Sequence, residues 1–225
     1  MRVVIGEDEA LLREGLALIV ERAGLEVAGA AASAPELVRL ADAEQPELVI
    51  TDIRMPPGHT DDGLRAALEL RTRRPPRSVM VLSQYVQRRY ALELLGDRPA
   101  GVGYLLKQRI ADADRFCHDA RRVAEGETVL DPEIVAAMVA RAQRDSDALE
   151  ALTPRQSEVL ALIAEGLSNA AIARRLVITE KAVVQHVSNV YNQLGLEESD
   201  DYNRRVLAVV RYLARHPLEG AGTPR

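Results

Sequence analysis

Two runs in this chain, Leu48-Val49-Ile50 and Val79-Met80-Val81-Leu82, are apolar at every position. A strand with one face in water alternates, so a strand apolar on both faces must be covered on both. That is the situation of a parallel sheet held between two layers of helices. Three further short runs, 2–5, 26–31 and 103–106, read as strands beside 48–52 and 78–83. Amphipathic stretches with helical period lie between and after them: 9–23 stopped by Gly24, 34–44, 63–73 stopped by Pro75-Pro76, 84–95, and 110–125 stopped by Gly126. The expected fold is α/β, a five-stranded doubly wound parallel sheet over residues 1–126.

The alternation ends at Gly126. Asp131-Pro132 reads as an N-cap followed by proline at the first helical position, opening a helix to about 143, with polar residues 144–147 as a hinge. From Thr153 only helices are expected, at 154–165, 169–175, 180–194 and 203–214. The domain plan is thus 1–126, a linker with a helix at 127–149, a small all-α domain at 150–216, and a disordered tail at 217–225.

Composition excludes several function classes. No apolar run approaches the roughly 18 residues of a membrane span, and Met1 leads into Val3-Val4-Ile5 without a signal-peptide core, so a cytoplasmic protein without a membrane partner is expected. A single cysteine, Cys117, leaves no internal disulfide and reads as a small buried hydrophobe. The 4 histidines show no zinc spacing; His59, His118 and His216 read as surface residues. With no Trp and 1 Phe, a binder that stacks single-stranded bases is disfavoured. Of 29 basic residues only Lys107 and Lys181 are lysines, so each invites a chemical reason.

In an open parallel sheet, ligands sit beyond the carboxyl ends of the strands. The first strand ends in Glu7-Asp8, the third in Asp52, the fourth in Ser83 and the fifth in Lys107. Three carboxylates so close raise one another's pKa unless a cation sits among them, and oxygen donors with room for water suit Mg²⁺. A carboxylate facing Mg²⁺ is a competent nucleophile toward phosphorus, and Asp52 is the candidate. Glu7, Asp8, Asp52 and the carbonyl of Arg54 would hold the metal. The Lys107 ammonium would act as a point charge where a guanidinium fork fits poorly, and the Ser83 hydroxyl would bond a phosphoryl oxygen. Each acid alone could simply solvate a loop; five groups at five strand ends, followed by Met55-Pro56-Pro57, outweigh that reading.

This pattern resembles the flavodoxin-like receiver domain of two-component response regulators. The resemblance implies that a sensor histidine kinase donates the phosphoryl group, Asp52 accepts it, Glu7 and Asp8 bind Mg²⁺, and Ser83 and Tyr104 form the switch. Three departures stand out: Glu7 where the family usually has aspartate, a longer loop at 56–63, and Gln108 where many receivers have proline after the lysine, which removes the usual reason for a cis peptide there.

Leu152-Thr153-Pro154-Arg155, Glu158-Val159-Leu160, Gly166, Ser168-Asn169, Ile172-Ala173, Leu176, Ile178-Thr179-Glu180, Val183, His186-Val187 and Leu194-Gly195 resemble the LuxR-type helix-turn-helix, and with the receiver the NarL/FixJ group. The resemblance implies that 180–194 enters a major groove of double-stranded DNA. Val184, Gln185 and Ser188 would face bases, and Asn169, Arg174, Thr179 and Lys181 complete the contact set. From 150 to 216 the basic residues (155, 174, 175, 181, 204, 205, 211, 215) equal the acids (150, 158, 165, 180, 197, 198, 200, 201), so the domain lacks the usual basic footprint. Val206, Val209, Val210 and Leu213 recur at i, i+3, i+4 and i+7 with Leu207 and Tyr212 beside them; part covers the core, and the remainder is either a dimer contact, with Val206, Val210 and Leu213 as candidates, or more core.

The function expected is a phosphorylation-gated DNA-binding transcription regulator, not an enzyme, forming a homodimer on phosphorylation. Two alternatives remain: a protein–protein regulator with weakened DNA binding, and an aspartate-nucleophile phosphatase. Against the phosphatase, the position two after Asp52, where such enzymes place a second aspartate, is Arg54.

Overall fold

The structure, a computed structural model, describes residues 1–198 and 203–216. Its elements divide into two compact units, Met1–Met138 and Val139–Arg225. The expected tail at 217–225, and the acids at 200 and 201, lie outside the described residues.

The first unit alternates β1 (Arg2–Gly6), α1 (Ala10–Arg22), β2 (Glu26–Ala31), α2 (Ala34–Glu44), β3 (Leu48–Asp52), α3 (Asp62–Arg71), β4 (Ser78–Ser83), α4 (Arg88–Leu95), β5 (Val102–Leu106) and α5 (Ala113–Ala124). Every strand pairing is parallel, in the order β2-β1-β3-β4-β5, with a further strand, β6 (Thr128–Leu130), beside β5. The fully apolar strands behave as their composition requires. Val4, Val49, Val79, Val81 and Tyr104 face Leu37, Leu64, Leu70 and Leu94 from α2, α3 and α4. On the opposite face Val3, Ile5, Ile50, Met80 and Leu82 meet Leu16, Val20, Phe116, Cys117 and Val123 from α1 and α5.

Three features depart from the sequence expectation. A sixth strand, β6 (Thr128–Leu130), pairs with β5 in the register Tyr104↔Leu130. It has three residues on a sheet edge and escapes any periodicity test. The helix after it, α6 (Pro132–Glu150), runs through the expected hinge at 144–147. Those polar residues are helix-compatible because Arg141 pairs with Asp145 and Gln143 bonds Asp147, each one turn apart. The segment 84–87 is non-helical, and a 3-10 turn at Lys107–Ala111 precedes α5. Cis peptides occur at Pro56-Pro57 and Arg74-Pro75 and not at Lys107-Gln108.

The second unit contains α7 (Pro154–Ala164), α8 (Asn169–Leu176), α9 (Glu180–Gln193) and α10 (Arg204–Arg215). Hydroxyl and amide caps set the helix starts: Thr153, Ser168, Thr179 and Asn203 each accept from a first-turn amide, and Thr153 forms a capping box with Gln156. Val159, Ile163, Ile172, Val183 and Val187 make one core cluster, and Leu160, Val190, Leu194 and Ala208 the other. Among the described residues no helix is long and apolar enough to cross a membrane.

Candidate functional site

The sheet order reverses between β1 and β3, and the acids lie at their carboxyl ends. Oxygens of Glu7, Asp8 and Asp52 lie within 4.8 Å of one another. The Lys107 ammonium bridges two of them, 2.8 Å from Glu7 Oε2 and 3.0 Å from Asp52 Oδ2. Glu7 is fully buried and Asp52 nearly so, whereas Asp8 is partly open. Burial pushes the Glu7 carboxyl above its ordinary pKa although Lys107 pulls it down. Burial alone would lower Lys107, but its bonds to Glu7 and Asp52 outweigh that and raise it. The donors are all hard oxygens and one side of the cluster opens to water, which fits Mg²⁺.

The loop after β3 returns to the pocket at Gly63, whose amide donates to the Ile53 carbonyl at 2.9 Å. A Cβ on Gly63 would lie 1.8 Å from the Asp52 carbonyl oxygen, so only glycine permits this close approach behind Asp52. The same loop carries His59 to 3.4 Å from Asp8 Oδ2. His59 is a surface residue, as expected, with a partner that its place in the sequence does not announce.

Ser83 Oγ donates to the Tyr85 carbonyl at 2.7 Å, and Arg54 lies over the Tyr85 ring at 5.8 Å. Tyr104 is fully buried, with its hydroxyl near Ser83 and the Gln87 backbone but without a hydrogen bond of ordinary geometry. Burial accordingly raises its pKa. The aromatic expected to rotate inward is therefore already inside.

On α9 the residues Val183, Val187 and Val190 face the core while Lys181, Val184, Gln185 and Ser188 are exposed, Val184 at 55%. Gln185 Nε2 donates to Asn189 Oδ1 at 3.1 Å. Thr179 is the cap of this helix, and the Asn169 side-chain oxygen accepts from Arg205 at 3.0 Å, so both serve the domain's own structure. Arg155 pairs with Glu158 and Arg175 with Glu165. Arg174 and Lys181 are exposed and have no acidic partner among the described residues. On α10, Val209, Leu207 and Tyr212 pack inward, whereas Val206 and Val210 are 57% and 56% exposed and Leu213 is half-buried. Core-only packing is thereby excluded for Val206 and Val210.

Residues 3–115 match the response regulator receiver domain family, and residues 150–205 match the bacterial regulatory proteins of the luxR family. The chain is 31% identical over 224 residues to the response regulator protein VraR of Staphylococcus aureus, covering 97% of this chain and 98% of that one. The chain belongs to the luxR-type response regulators. This response regulator is also 29% identical to the oxygen regulatory protein NreC of Staphylococcus carnosus, over 89% of this chain and 94% of that protein. In fold it is similar to the Salmonella typhimurium response regulator RcsB, with a TM-score of 0.62 at 24% identity over 96% of this chain and 98% of that one.

In this response regulator Glu7, Asp8, Asp52 and Lys107, expected to meet at the strand ends, lie together. A further buried acid lies outside the expected set. Asp131, read as a helix cap alone, is fully buried and holds Arg109 in a two-pronged ion pair at 2.9 and 3.0 Å. The signal available was an aspartate before a proline at the edge of the receiver; nothing in its spacing to Arg109 announces the pairing.

Proposed function

We propose that this response regulator is a phosphorylation-gated transcription regulator acting in the cytoplasm, that Asp52 accepts a phosphoryl group from a sensor histidine kinase, and that α9 reads double-stranded DNA. The observation that carries the reading is the Lys107 ammonium bridging Glu7 and Asp52 beside Asp8. An Asp52 carboxylate oxygen attacks phosphorus while the phosphorus–nitrogen bond to the donor imidazole breaks, and solvent supplies the proton that the departing imidazole takes. Glu7, Asp8, Asp52 and the carbonyl of Arg54 would hold Mg²⁺, which neutralises the phosphoryl oxygens when bound. Lys107 exchanges a carboxylate for a phosphoryl oxygen, and the Ser83 hydroxyl turns from the Tyr85 carbonyl toward another. With the Tyr104 ring already buried, the Ser83 rotation is the switching event that remains.

Phosphorylation joins two copies, and α10 supplies Val206, Val210 and Leu213 as the contact between their DNA-binding domains. Val184, Gln185 and Ser188 face the bases; Arg174 and Lys181 reach phosphates, with Asn169 and Thr179 holding the ends of their helices in place. The test is intact-mass measurement of the full chain with Mg²⁺ and phosphoramidate. One acid-stable, base-labile phosphoryl group is expected, absent from Asp52→Asn; labelling that persists in that variant would place the acceptor elsewhere. The balanced charge of the second domain favours one competing reading, a regulator that binds proteins instead of DNA. Salt-dependent binding to a promoter fragment separates the two.

A further inference from the structure

Asp131 stands out because a fully buried carboxylate outside the phosphorylation pocket needs a reason. Its oxygens are saturated. Oδ2 accepts from the Leu106 amide at 3.1 Å and from Arg109 Nε at 2.9 Å, and Oδ1 accepts from Arg109 Nη2 at 3.0 Å and the Glu133 amide at 3.0 Å. The Asp131 amide in turn donates to the Tyr104 carbonyl at 2.8 Å. Glu133 adds a second clasp, accepting from Gln108 Nε2 at 2.8 Å and Arg109 Nη2 at 3.0 Å. The tied residues, Tyr104, Leu106, Gln108 and Arg109, flank Lys107 on both sides. Lys107 itself extends the other way, to Glu7 and Asp52.

We propose that Asp131, acting with Arg109, is a positioning residue for Lys107: it holds the Leu106 amide on one side of the lysine and the Arg109 side chain on the other, and so couples the place of that ammonium to the start of α6. The physical case is one of rigidity. A lysine side chain is flexible, and its point charge is useful in a pocket only if the stem starts from a fixed place. Strand pairing fixes β5 as far as Leu106, and the 3-10 turn from Lys107 lies beyond that ladder. Asp131 bonds one residue before the lysine and two after it, which closes that gap. The coupling runs both ways: if the clasp favours one position of Lys107, a ligand that draws Lys107 away from Glu7 and Asp52 must also weaken the clasp at the first turn of α6. The link to phosphorylation rests on the reading of Asp52 as phosphoacceptor; the positioning itself does not.

The chain's two lysines make the test direct. Limited acetylation of the full-length protein with acetic anhydride, read by peptide mass spectrometry, gives the labelling of Lys107 relative to Lys181, an exposed standard in the other unit. Arg109→Gln and Asp131→Asn should each raise that ratio about fivefold or more, as expected when a contact that holds one state is lost. Arg109→Lys should fall between, since it keeps the charge and loses the fork. Protection of buried Cys117 from a thiol reagent in the same samples shows that the receiver stays folded. Arg109→Gln leaves Asp131 on its two amides, so it keeps the test valid should Asp131→Asn unfold. A ratio unchanged in folded Arg109→Gln would overturn the proposal. In parallel, phosphoryl uptake from phosphoramidate should slow about fivefold in Arg109→Gln. Hydrogen exchange in 131–138 should rise on phosphorylation of the wild type. A ratio that rises while wild-type Asp52 takes up no phosphoryl group would sink the phosphoacceptor reading and leave the positioning role standing. Wild-type uptake with no change of exchange in 131–138 would overturn the coupling to α6.

Discussion

Replacing Lys107 by methionine keeps the aliphatic stem and removes the charge that lies 2.8 Å from Glu7 Oε2 and 3.0 Å from Asp52 Oδ2. Removing one partner of a buried ion pair costs about 3–5 kcal/mol, because the remaining charge is uncompensated. A carboxyl escapes by binding a proton, which caps the penalty at roughly 1.4 kcal/mol for each pH unit above an ordinary glutamate pKa of about 4.3. Burial already raises the Glu7 pKa, and loss of Lys107 removes the contact that opposes burial. An acid whose folded pKa is raised destabilises the protein above its unfolded pKa, and that penalty fades as pH falls toward it. The expected loss is thus at most about 4 kcal/mol at pH 7, and about 1 kcal/mol at pH 5. The assay uses Cys117, the sole thiol and 2% exposed within the receiver core. Its reaction with a pyridyl disulfide, normalised to an unfolded peptide, reports the opening free energy of the receiver within the full chain. Mg²⁺ should recover part of the loss by placing positive charge among the same carboxylates. A penalty equal at pH 5 and pH 7 would assign the loss to packing and refute the electrostatic argument.

Gln185→Ala and Ser188→Ala should relax sequence preference by about 1–3 kcal/mol per base pair read, measured by competition between promoter and scrambled duplexes. Lys181→Ala and Arg174→Ala should instead weaken binding to every duplex, each reducing the salt slope by about 1. Val210→Asp, at a 56% exposed position, should leave the melting temperature nearly unchanged and reduce paired occupancy of a two-half-site promoter in gel-shift titrations. Burial alone would raise the Asp131 carboxyl, but Arg109 and the amides of Glu133 and Leu106 together hold it below its ordinary value. Its contribution to stability is therefore present above the unfolded aspartate pKa of about 3.9 and lost as pH falls through the folded value; Asp131→Asn should flatten the acid limb of the receiver's stability curve in that window.

The receiver pocket was legible because it is written at strand ends. Once Leu48-Val49-Ile50 and Val79-Met80-Val81-Leu82 mark buried parallel strands, the residues that follow them are forced to one edge of the sheet: Asp52 and Lys107 meet there, and Ser83 ends the strand between theirs. What was not legible depends on tertiary pairing. β6 is held by pairing with β5, with only Val129 buried among its three residues, too little pattern to detect. The expected hinge at 144–147 failed for a local reason, since charged residues one turn apart support a helix as readily as they interrupt one. On α10 the periodicity was right, but a band of six apolar positions does not say which side faces in. The structure turns Leu207, Val209 and Tyr212 inward and leaves Val206 and Val210 outside.

The charge pattern of the second domain bears on why dimerisation is a sensible gate. Of the cations near α9, Arg155 and Arg175 are committed to Glu158 and Glu165, which leaves Arg174 and Lys181 for phosphates. Two phosphate contacts give a salt slope near −1.8, so a fourfold rise in salt weakens one domain only about tenfold. A weak slope also means a small electrostatic contribution to affinity at any salt, and the base contacts of one short helix cannot make up the difference against a genome of competing sites. Two joined domains double the slope and add an effective concentration worth roughly 10²–10⁴ in avidity. A strongly basic domain would occupy DNA whether or not its receiver had been phosphorylated. On the proposed reading, a domain with balanced charge stays off DNA as a monomer, and its occupancy then follows the event that pairs it.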